Sequence, residues 1–211
     1  QNTIILLQHF SNSPVQLAVT WTETGNNDTD KYLVAKVLSG NTPAFATIIK
    51  NTEHLVAQIV CKMIGNEEDR KDLAQEIYLK AYKNLQGFKF QSKLSTWIAQ
   101  IAYNACFDQL RKKQLVHDEL TNDEEEDNRR HPGETIFSME QKELVSIINK
   151  GIQQLPPVYQ TLITLYHKEE MNYTEITQIT GLPEGTVKSY LFRARKRLKE
   201  KLVLNYQKED I

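Results

Sequence analysis

The amino-acid sequence predicts an all-α protein of two small helical domains, a four-helix domain and then a helix-turn-helix domain, joined by a flexible acidic linker. Apolar residues recur at helical spacing on both sides of one long polar stretch, and that stretch has no apolar periodicity. Glycine and proline are scarce, with 8 and 6 among 211 residues. Because a domain takes about 100–200 residues, this length allows one domain or two small ones.

The linker prediction rests on the distribution of charge. Residues 118–134 contain eight acidic and two basic side chains, a net charge of −6, although the whole chain carries only −1. Such a segment cannot bury enough apolar surface to offset the entropy lost on ordering, so we predict a flexible linker over residues 114–138. It separates expected domains at residues 29–113 and 139–211. The N-terminal extension, residues 1–28, has no role that the sequence indicates.

Composition excludes several classes of protein. A hydrophobic content of 40% is too high for a wholly disordered chain, and no stretch approaches the ~20 apolar residues of a membrane span, so no membrane insertion is expected. Two cysteines fit a reducing cytoplasm better than a disulfide framework. The sequence lacks a Gly-rich phosphate loop and the HExxH and CxxC motifs. We therefore expect no enzyme, no metal site and no cofactor.

Four helices are expected in the N-terminal block. Asp30 is placed to cap the first of them. The third begins with four acids among its first six residues, which favour a helix N-terminus. Either Ser92 or Ser95 is expected to cap the fourth. The expected helices are residues 31–38, 42–64, 67–85 and a long helix that ends at Lys113, with a loop at residues 88–93.

The third predicted helix carries an apolar residue on its polar face. On a helical wheel, Leu73 and Ile77 belong to a buried stripe, whereas Leu79 falls among polar side chains. A lone exposed leucine is common and is one interpretation. The other is a partner-binding face with Leu79 as its anchor and polar side chains as its rim. The candidate face comprises Asp72, Gln75, Glu76, Leu79 and Lys83.

The fourth predicted helix has one edge that suits single-stranded nucleic acid. Trp97 lies beside amides and cations, and the preceding loop adds two aromatic rings and two lysines. Aromatic rings stack bases, amides bond base edges and cations meet phosphates. A boundary tryptophan beside solvated polar groups is the alternative interpretation. The candidate residues are Phe88, Lys89, Phe90, Ser92, Lys93, Trp97, Gln100, Asn104, Arg111 and Lys112.

The C-terminal block predicts a helix-turn-helix. Asn172 and Glu175 have the spacing of a capping box, and Gly181 can end the short helix that they begin. A second helix opens at Pro183, and residues 183–201 carry a net charge of +5. A short helix, a glycine turn and a basic helix are typical of a duplex DNA reader, although a surface helix with a solvated basic face is the alternative. The candidate residues are Pro183, Glu184, Gly185, Thr186, Lys188, Ser189, Phe192, Arg193, Arg195 and Lys196.

Three segments, in this order, resemble the extracytoplasmic-function (ECF) sigma factors of the sigma-70 family. They are residues 72–80 (DLAQEIYLK), similar to region 2.2; residues 95–104 (STWIAQIAYN) with Asp108 and Arg111, similar to regions 2.3 and 2.4; and residues 181–189 (GLPEGTVKS) with Arg193-Ala194-Arg195, similar to region 4.2. The resemblance covers most of the chain, about residues 30–202. Two features depart from the family pattern, namely Tyr190, where arginine is frequent, and the N-terminal extension.

This resemblance implies a role for each candidate surface. The face around Leu79 would dock on the clamp helices of the largest subunit of RNA polymerase, and the C-terminal domain would meet the polymerase flap. The loop and the Trp97 edge would hold the melted −10 element of the promoter, and the helix after Gly181 would read the −35 element as duplex. An anti-sigma factor or another regulator is a further implied partner, and the bacterial cytoplasm the implied location.

The sequence therefore predicts a sigma factor, which binds core RNA polymerase and directs promoter recognition, promoter melting and transcription initiation. One alternative is a stand-alone helix-turn-helix regulator that does not engage polymerase. A second is an adaptor that sequesters polymerase without promoter specificity. A duplex-only regulator needs neither Leu79 nor the aromatic stretch, and a sequestering adaptor does not need the basic reading helix.

Overall fold

A computed structural model describes residues 27–120 and 139–209, and the regular structure within these ranges is helical. The helices of the N-terminal domain are α1 (Asn27–Leu38), α2 (Thr42–Met63), α3 (Glu67–Asn84) and α4 (Leu94–Leu120). Those of the C-terminal domain are α5 (Met139–Gln153), α6 (Pro157–Ile163), α7 (Tyr173–Thr180) and α8 (Glu184–Glu209). A short 3₁₀ turn, Leu85–Gly87, follows α3, and a π-helical turn, Thr164–Lys168, follows α6.

The N-terminal domain packs α1, α3 and α4 around α2. The N-cap of α2 is Asn41, whose side-chain oxygen accepts the backbone N–H of Ala44 at 3.0 Å. The interior is mostly apolar, and the hydroxyls of Thr52 and Tyr78 form a hydrogen bond of 3.0 Å within it. Burial raises the pKa of Tyr78, so this hydroxyl stays neutral and can share its proton with Thr52. This pair therefore satisfies two polar groups within a largely apolar core.

Two predicted helix caps are wrong. Helix α1 begins at Asn27, so Asp30 lies inside it, and its carboxylate accepts the backbone N–H of Leu94 at 2.9 Å instead. That N–H belongs to the first turn of α4, so Asp30 caps the fourth helix rather than the first. Ser92 precedes this turn and Ser95 lies within α4. A carboxylate contributed by another helix thus replaces the local serine caps.

Helix boundaries differ modestly from the prediction. Helix α3 begins after Asn66, whose side chain accepts the N–H groups of Glu68 and Asp69, and it ends one residue early, where the 3₁₀ turn begins. Helix α4 runs past Lys113 to Leu120. The predicted acidic linker falls largely on residues 121–138, and most of the N-terminal extension falls on residues 1–26; both ranges lie outside the described residues.

The helix-turn-helix has the predicted geometry. Asn172 and Glu175 form a reciprocal capping box, with Glu175 N–H donating to the Asn172 side chain at 2.9 Å and Asn172 N–H to the Glu175 carboxylate at 3.2 Å. Gly181 adopts φ 69°, the left-handed conformation that glycine tolerates best. Ile176 and Val187, one from each helix, are fully buried. The turn therefore fixes α8 against α7 as a reading helix requires.

The two domains pack against each other, which the sequence did not predict. Helix α6 lies against α2, and helix α7 lies against α4. Buried apolar side chains from both domains form one contiguous cluster. The candidate single-strand edge on α4 and the first helix of the helix-turn-helix are therefore neighbours.

Candidate nucleic-acid interface

Helix α3 turns its apolar stripe inward and leaves Leu79 in solvent. Leu73 and Ile77 are buried, whereas Leu79 is 46% exposed, so its predicted position on an outer face is confirmed. Tyr82, three residues later, is 44% exposed, and its ring meets Phe45 edge-to-face with centroids 5.0 Å apart. The outer face of α3 thus presents two apolar side chains close together.

Polar side chains surround this apolar pair. Asp72, Glu76 and Lys83 are exposed, and Gln75 is partly buried. Glu76 pairs with Lys80 at 2.7 Å within the helix. An apolar centre with a charged rim is the anatomy of a protein-binding surface.

The loop before α4 holds its aromatic rings in a packed group. The Phe88 centroid lies 4.7 Å from that of Phe90 and 5.2 Å from that of Trp97. Phe90 has φ 56°, an uncommon conformation for a residue with a side chain, and it turns the loop at this point. Phe88 is only 7% exposed, so contrary to the expectation it offers no stacking surface. It forms the floor on which the partly exposed Phe90 and Trp97 rest.

A cleft of about 300 Å³ opens beside these rings. It brings together five of the ten residues predicted for the single-strand surface. Its lining consists of Gly87, Phe88, Lys89, Gln91, Ser92, Trp97, Gln100 and Gln178. All but Gln178, which comes from α7, belong to the N-terminal domain. Aromatic, amide, hydroxyl and ammonium groups in one cleft can stack a base, bond its edge and hold a phosphate.

The remaining predicted residues lie at the rim of the cleft or further along α4. Lys93 donates to the carboxylate of Glu175 on α7 at 3.0 Å. Asn104 and Lys112 are exposed, and Arg111 lies 3.5 Å from Asp108 in an exposed pair. Two cations, Arg111 and Lys112, therefore lie in the C-terminal half of the helix, separated from the cleft by residues without basic side chains.

Helix α8 presents its predicted reading face to solvent. Lys188 Nζ lies 2.6 Å from Glu184 Oε1 and 5.0 Å from the centroid of the Tyr173 ring. The hydrogen bond to Glu184 raises the pKa of Lys188, which stays charged. Phe192 is 68% exposed and Arg193 is exposed beside it. The first three turns of α8 thus offer charged, polar and apolar groups on the exposed face.

The structure reveals an aromatic and cationic cluster that sequence reasoning missed. Tyr166 and Tyr173 stack with centroids 5.2 Å apart, and the Arg195 guanidinium lies 5.1 Å over the Tyr166 ring. Arg195 also donates to His167 Nε2 at 3.1 Å. Burial, with a smaller contribution from Arg195, lowers the pKa of His167, which favours its neutral accepting form. A wheel drawn for one helix could not show this cluster, because Tyr166, Tyr173 and Arg195 belong to three different elements.

Tyr190 points towards the other helices rather than to the reading face. Its ring meets Tyr159 edge-to-face with centroids 5.5 Å apart. Burial raises the pKa of Tyr103 on α4 to about 12, and Tyr190 adds to that shift, which places the two phenols close together. The residue that departs from the family pattern thus packs near the contact between the domains.

Cys106 is fully buried in the core of the N-terminal domain. Burial raises the pKa of the Cys106 thiol to about 12, so this cysteine is an inert core residue. Across residues 27–120 and 139–209, no group of three or more His, Cys, Asp or Glu side chains is arranged to hold a metal ion. Within the same two ranges, no helix is long and apolar enough to cross a membrane.

A helical chain with a solvent-facing basic helix after a glycine turn and a separate aromatic cleft has the architecture of helix-turn-helix DNA-binding proteins. Family comparison makes the assignment specific. Residues 48–116 match the model of sigma-70 region 2, and residues 147–198 match that of sigma-70 region 4. The two matches lie on the two domains in the predicted order.

Known relatives agree with both matches. The ECF RNA polymerase sigma factor SigW of Bacillus subtilis is 31% identical over 192 residues, which covers 82% of this chain and 96% of SigW. The RNA polymerase sigma-H factor of Pseudomonas aeruginosa is 30% identical over 180 residues, with coverage of 82% and 93%. The ECF RNA polymerase sigma-E factor of Escherichia coli is 30% identical over 195 residues, with coverage of 82% and 94%.

Solved structures show the same fold. CnrH in complex with the cytosolic domain of CnrY superposes with a TM-score of 0.60 at 21% identity, covering 84% of this chain and 99% of that one. The sigma factor RpoE of Bartonella quintana in complex with the anti-sigma factor NepR gives a TM-score of 0.59 at 23% identity, with coverage of 75% and 96%.

This chain belongs to the ECF sigma factors of the sigma-70 family. It is a sigma factor that directs transcription initiation, and the stand-alone regulator is not favoured. The family is one of initiation factors, not of enzymes.

Proposed function

We propose that this sigma factor uses its three surfaces for three separate tasks. The outer face of α3 binds core RNA polymerase, the cleft and edge of α4 hold the melted −10 element, and the exposed face of α8 reads the −35 element. The domains that carry these tasks are residues 29–113 and 139–211. The observation that carries the proposal is the cleft, which gathers aromatic, amide and cationic groups beside a duplex-reading domain.

The α3 face supports docking on polymerase. Leu79 and Tyr82 are large apolar side chains that remain exposed to solvent. Exposed apolar patches with a charged rim mark protein-binding sites. The clamp helices of the largest subunit are the partner that the family resemblance implies. Leu79 is the anchor, and Asp72, Gln75, Glu76 and Lys83 form the rim.

The α4 cleft supports capture of a single strand. Trp97 and Phe90 remain partly exposed above the Phe88 floor, so a base that leaves the duplex has a ring to stack on. Gln100 and Asn104 can bond base edges, while Lys89, Lys93, Arg111 and Lys112 can meet phosphates. Duplex DNA keeps the faces of its bases stacked and their Watson–Crick edges paired, so such a cleft favours melted DNA.

The α8 face supports duplex reading at two levels. Glu184, Lys188 and Ser189 lie near the helix start, where side chains reach base edges in the major groove. Arg193 and Lys196 lie further along and suit phosphates, whose contacts fix position without reading sequence. Arg195 can join them only by leaving His167 and the Tyr166 ring.

The proposed location is the bacterial cytoplasm, where core polymerase and promoter DNA are present. An anti-sigma factor is a further proposed partner, because the similar RpoE of Bartonella quintana is known in complex with one. The C-terminal domain is also proposed to contact the polymerase flap, as the family resemblance implies.

Run-off transcription with core polymerase of the source bacterium and fragments of its genome tests the proposal. We expect discrete transcripts that require both the polymerase and this chain. Permanganate footprinting should then show unpaired thymines at the −10 position only when both are present. Duplex binding by the chain without any core-dependent transcript would contradict the proposal and favour the stand-alone regulator.

A further inference from the structure

We propose that an aromatic and cationic brace positions the Lys188 side chain for base reading. The brace consists of Tyr166, Tyr173 and Arg195, and none of its members needs to touch a base. This inference rests on the proposed role of α8 in duplex reading. It goes beyond that role because it assigns part of the sequence discrimination to two tyrosines outside α8, and it makes Arg195 a positioning residue instead of a phosphate contact.

The first observation is that the brace reaches Lys188. The Lys188 ammonium lies 5.0 Å from the centroid of the Tyr173 ring and 2.6 Å from Glu184 Oε1. Tyr173 is the first residue of α7, and Lys188 lies in the second turn of α8. A lysine side chain is flexible and samples many rotamers on its own. Contacts from two helices therefore restrict where this ammonium can go.

Only the ring can remain in contact when Lys188 reaches a base. Glu184 and a base would compete for the same N–H donors, so the ion pair must break first. A ring attracts a cation through its face, and the ammonium keeps donors that point away from the ring. Tyr173 can thus keep Lys188 on one side of α8 during reading, whereas Glu184 cannot.

The second observation is that the Tyr173 ring is itself supported. Tyr166 stacks on it with centroids 5.2 Å apart and planes 26° from parallel. The Arg195 guanidinium lies 5.1 Å from the centroid of the Tyr166 ring, and its Nε donates to His167 Nε2 at 3.1 Å. These contacts join the π-helical turn, α7 and α8. A side chain can position another when its own rotamer is held in this way.

The third observation separates Arg195 from its neighbour Arg193. Two residues along a helix are about 200° apart, so these guanidiniums leave α8 in nearly opposite directions. Arg193 is exposed beside Phe192, whereas Arg195 lies over Tyr166. A guanidinium engaged by a ring and an imidazole has to leave both before it meets a phosphate. Arg195 therefore acts through Tyr166 and Tyr173.

The consequence concerns specificity rather than overall affinity. With the ring in place, the Lys188 ammonium is directed to one base edge in the major groove, where each base pair presents its own pattern of acceptors. Without the ring, the same ammonium can also reach acceptors on neighbouring bases or phosphates. The brace should therefore raise the affinity for the cognate −35 element relative to altered ones. The sequence-independent part of binding, which phosphate contacts supply, should not change.

Duplex titrations with the full chain test the role of Tyr173. The probes are a −35 duplex from a promoter found by run-off transcription, the same duplex with single base pairs replaced, and a scrambled duplex. Tyr173→Leu removes the ring, and we expect the preference at the base pair read by Lys188 to fall about two- to fivefold. Affinity for the scrambled duplex should stay the same. An unchanged preference in a variant that circular dichroism shows to be folded would overturn the proposal.

Tyr159→Leu is the matched control. The Tyr159 ring also lies near a cation of α8, 5.4 Å from the Arg197 guanidinium, but it belongs to α6 and not to the brace. We expect no loss of preference in this control. Tyr173→Phe keeps the ring and should retain the wild-type preference. Equal losses in Tyr159→Leu and Tyr173→Leu would overturn the proposal, because removal of any such ring from the domain would explain both.

A double-mutant cycle asks whether Tyr173 acts through Lys188. In a Lys188→Ala background, Tyr173→Leu should cause no further loss of preference, because no ammonium is left to position. A further loss of the same size as in the wild-type background would overturn the proposal. Tyr173 would then act on DNA directly or through the fold.

Arg195→Ala tests the far end of the brace and leaves both tyrosines in place. Its preference should fall at the same base pair as in Tyr173→Leu. The salt dependence of its affinity should keep the wild-type slope, whereas a lost phosphate contact lowers that slope by about one, as expected for Arg193→Ala. A lowered slope with an unchanged preference would overturn the positioning role. Because Arg195 is exposed, this variant keeps the test decisive even if Tyr173→Leu does not fold.

Failure of the proposed function would look different. If Lys188→Ala lost affinity equally for cognate and scrambled duplexes, Lys188 would not read bases, and the brace would have nothing to position. That result would overturn both proposals. If Lys188→Ala relaxed the preference at one base pair while Tyr173→Leu and Arg195→Ala did not, α8 would keep its reading role and only the brace would be rejected.

Discussion

The two functional faces of the N-terminal domain differ in access. On α3, Leu79 and Tyr82 are each more than two-fifths exposed, and their face is ready to meet a partner. On α4, the cleft beside Trp97 is lined partly by Gln178, and Lys93 is held by Glu175. The first face is open to solvent, whereas part of the second lies against the C-terminal domain.

This difference between the two faces predicts different defects for substitutions on each of them. Changes on α3 should act at the encounter with polymerase, and changes on α4 should act after it.

The largest effect is expected on the open face. Leu79→Asp places a charge where an apolar anchor is proposed, and loss of such an anchor costs at least about 2 kcal/mol, or about 30-fold in affinity. We expect loss of co-purification with core polymerase and no run-off transcript. The fold should be retained, because Leu79 lies outside the core, and circular dichroism with thermal unfolding would measure this.

Leu38→Asp is the matched control for this substitution. Leu38 lies on α1 and is 53% exposed, slightly more than Leu79. The control should bind core polymerase as well as the wild-type chain does. Equal binding by both variants would place the docking surface elsewhere than on α3.

The covered face should give a smaller and later defect. Stacking of one base on an aromatic ring is worth about 1–3 kcal/mol, so Trp97→Ala should weaken open complexes by about 5–150-fold. Asn104→Ala should act in the same direction. Closed complexes should be less affected, and permanganate footprinting on duplex and pre-melted promoters would measure both stages.

Tyr32→Ala provides a control for loss of an exposed aromatic ring. Tyr32 lies on α1 and is 59% exposed, so its removal should leave both complexes unchanged. If Trp97→Ala instead fails on both templates through loss of polymerase binding, its ring is structural. The α3 and α4 faces would then no longer differ in the step at which they act.

A third prediction divides the exposed face of α8 into reading and gripping residues. Lys188→Ala should cost about 1–3 kcal/mol on the cognate −35 element and relax preference at one or two base pairs. Arg193→Ala should weaken all sequences about equally and lower the salt slope by about one. Titrations of cognate and scrambled duplexes over a salt series, with the full chain, would measure both.

The Glu184 ion pair refines this third prediction. In the free chain, Lys188 must leave Glu184 before it reaches a base, so Glu184→Gln should free the ammonium and raise affinity for all duplexes. Equal losses of affinity for both duplexes in Lys188→Ala would show that Lys188 contacts phosphates rather than bases. The tests use the full chain because its two domains share one cluster of buried residues.

Sequence patterns predicted the elements that local chemistry determines. The capping box at Asn172, the left-handed Gly181 and the outward Leu79 each follow from a residue and its near neighbours, and the structure has all three. The wrongly predicted caps depend instead on a contact between residues that are far apart in the sequence. Asp30 caps a helix that begins 64 residues later, and no local pattern encodes such a contact.

The candidate site shows the same division. Periodicity placed Trp97 and Asn104 on one edge, but it could not show that Phe88 is buried beneath the other rings. Nor could it place Gln178 in the cleft, because that depends on how two separately patterned domains meet. The apolar surface that the two domains bury against each other decides that arrangement. A helical wheel drawn for one helix carries no information about this contact.

The smallest expected effect concerns the turn between helices α7 and α8. Gly181 has φ 69°, and no neighbouring atom lies within 4 Å of the position that a Cβ would take there. Gly181→Ala therefore meets only backbone strain, about 1–2 kcal/mol. Gly40, at φ 91° between α1 and α2, is equally open and provides the same substitution in the N-terminal domain.

These two variants ask whether the contact between the domains couples their stability. If α7 stays docked on α4, both substitutions should lower one common thermal transition by similar amounts. If the domains part readily, Gly181→Ala should shift only a C-terminal transition and Gly40→Ala only an N-terminal one. Calorimetry would resolve the two cases. Two separate transitions would mean that the contact between α7 and α4 does not couple the stability of the two domains.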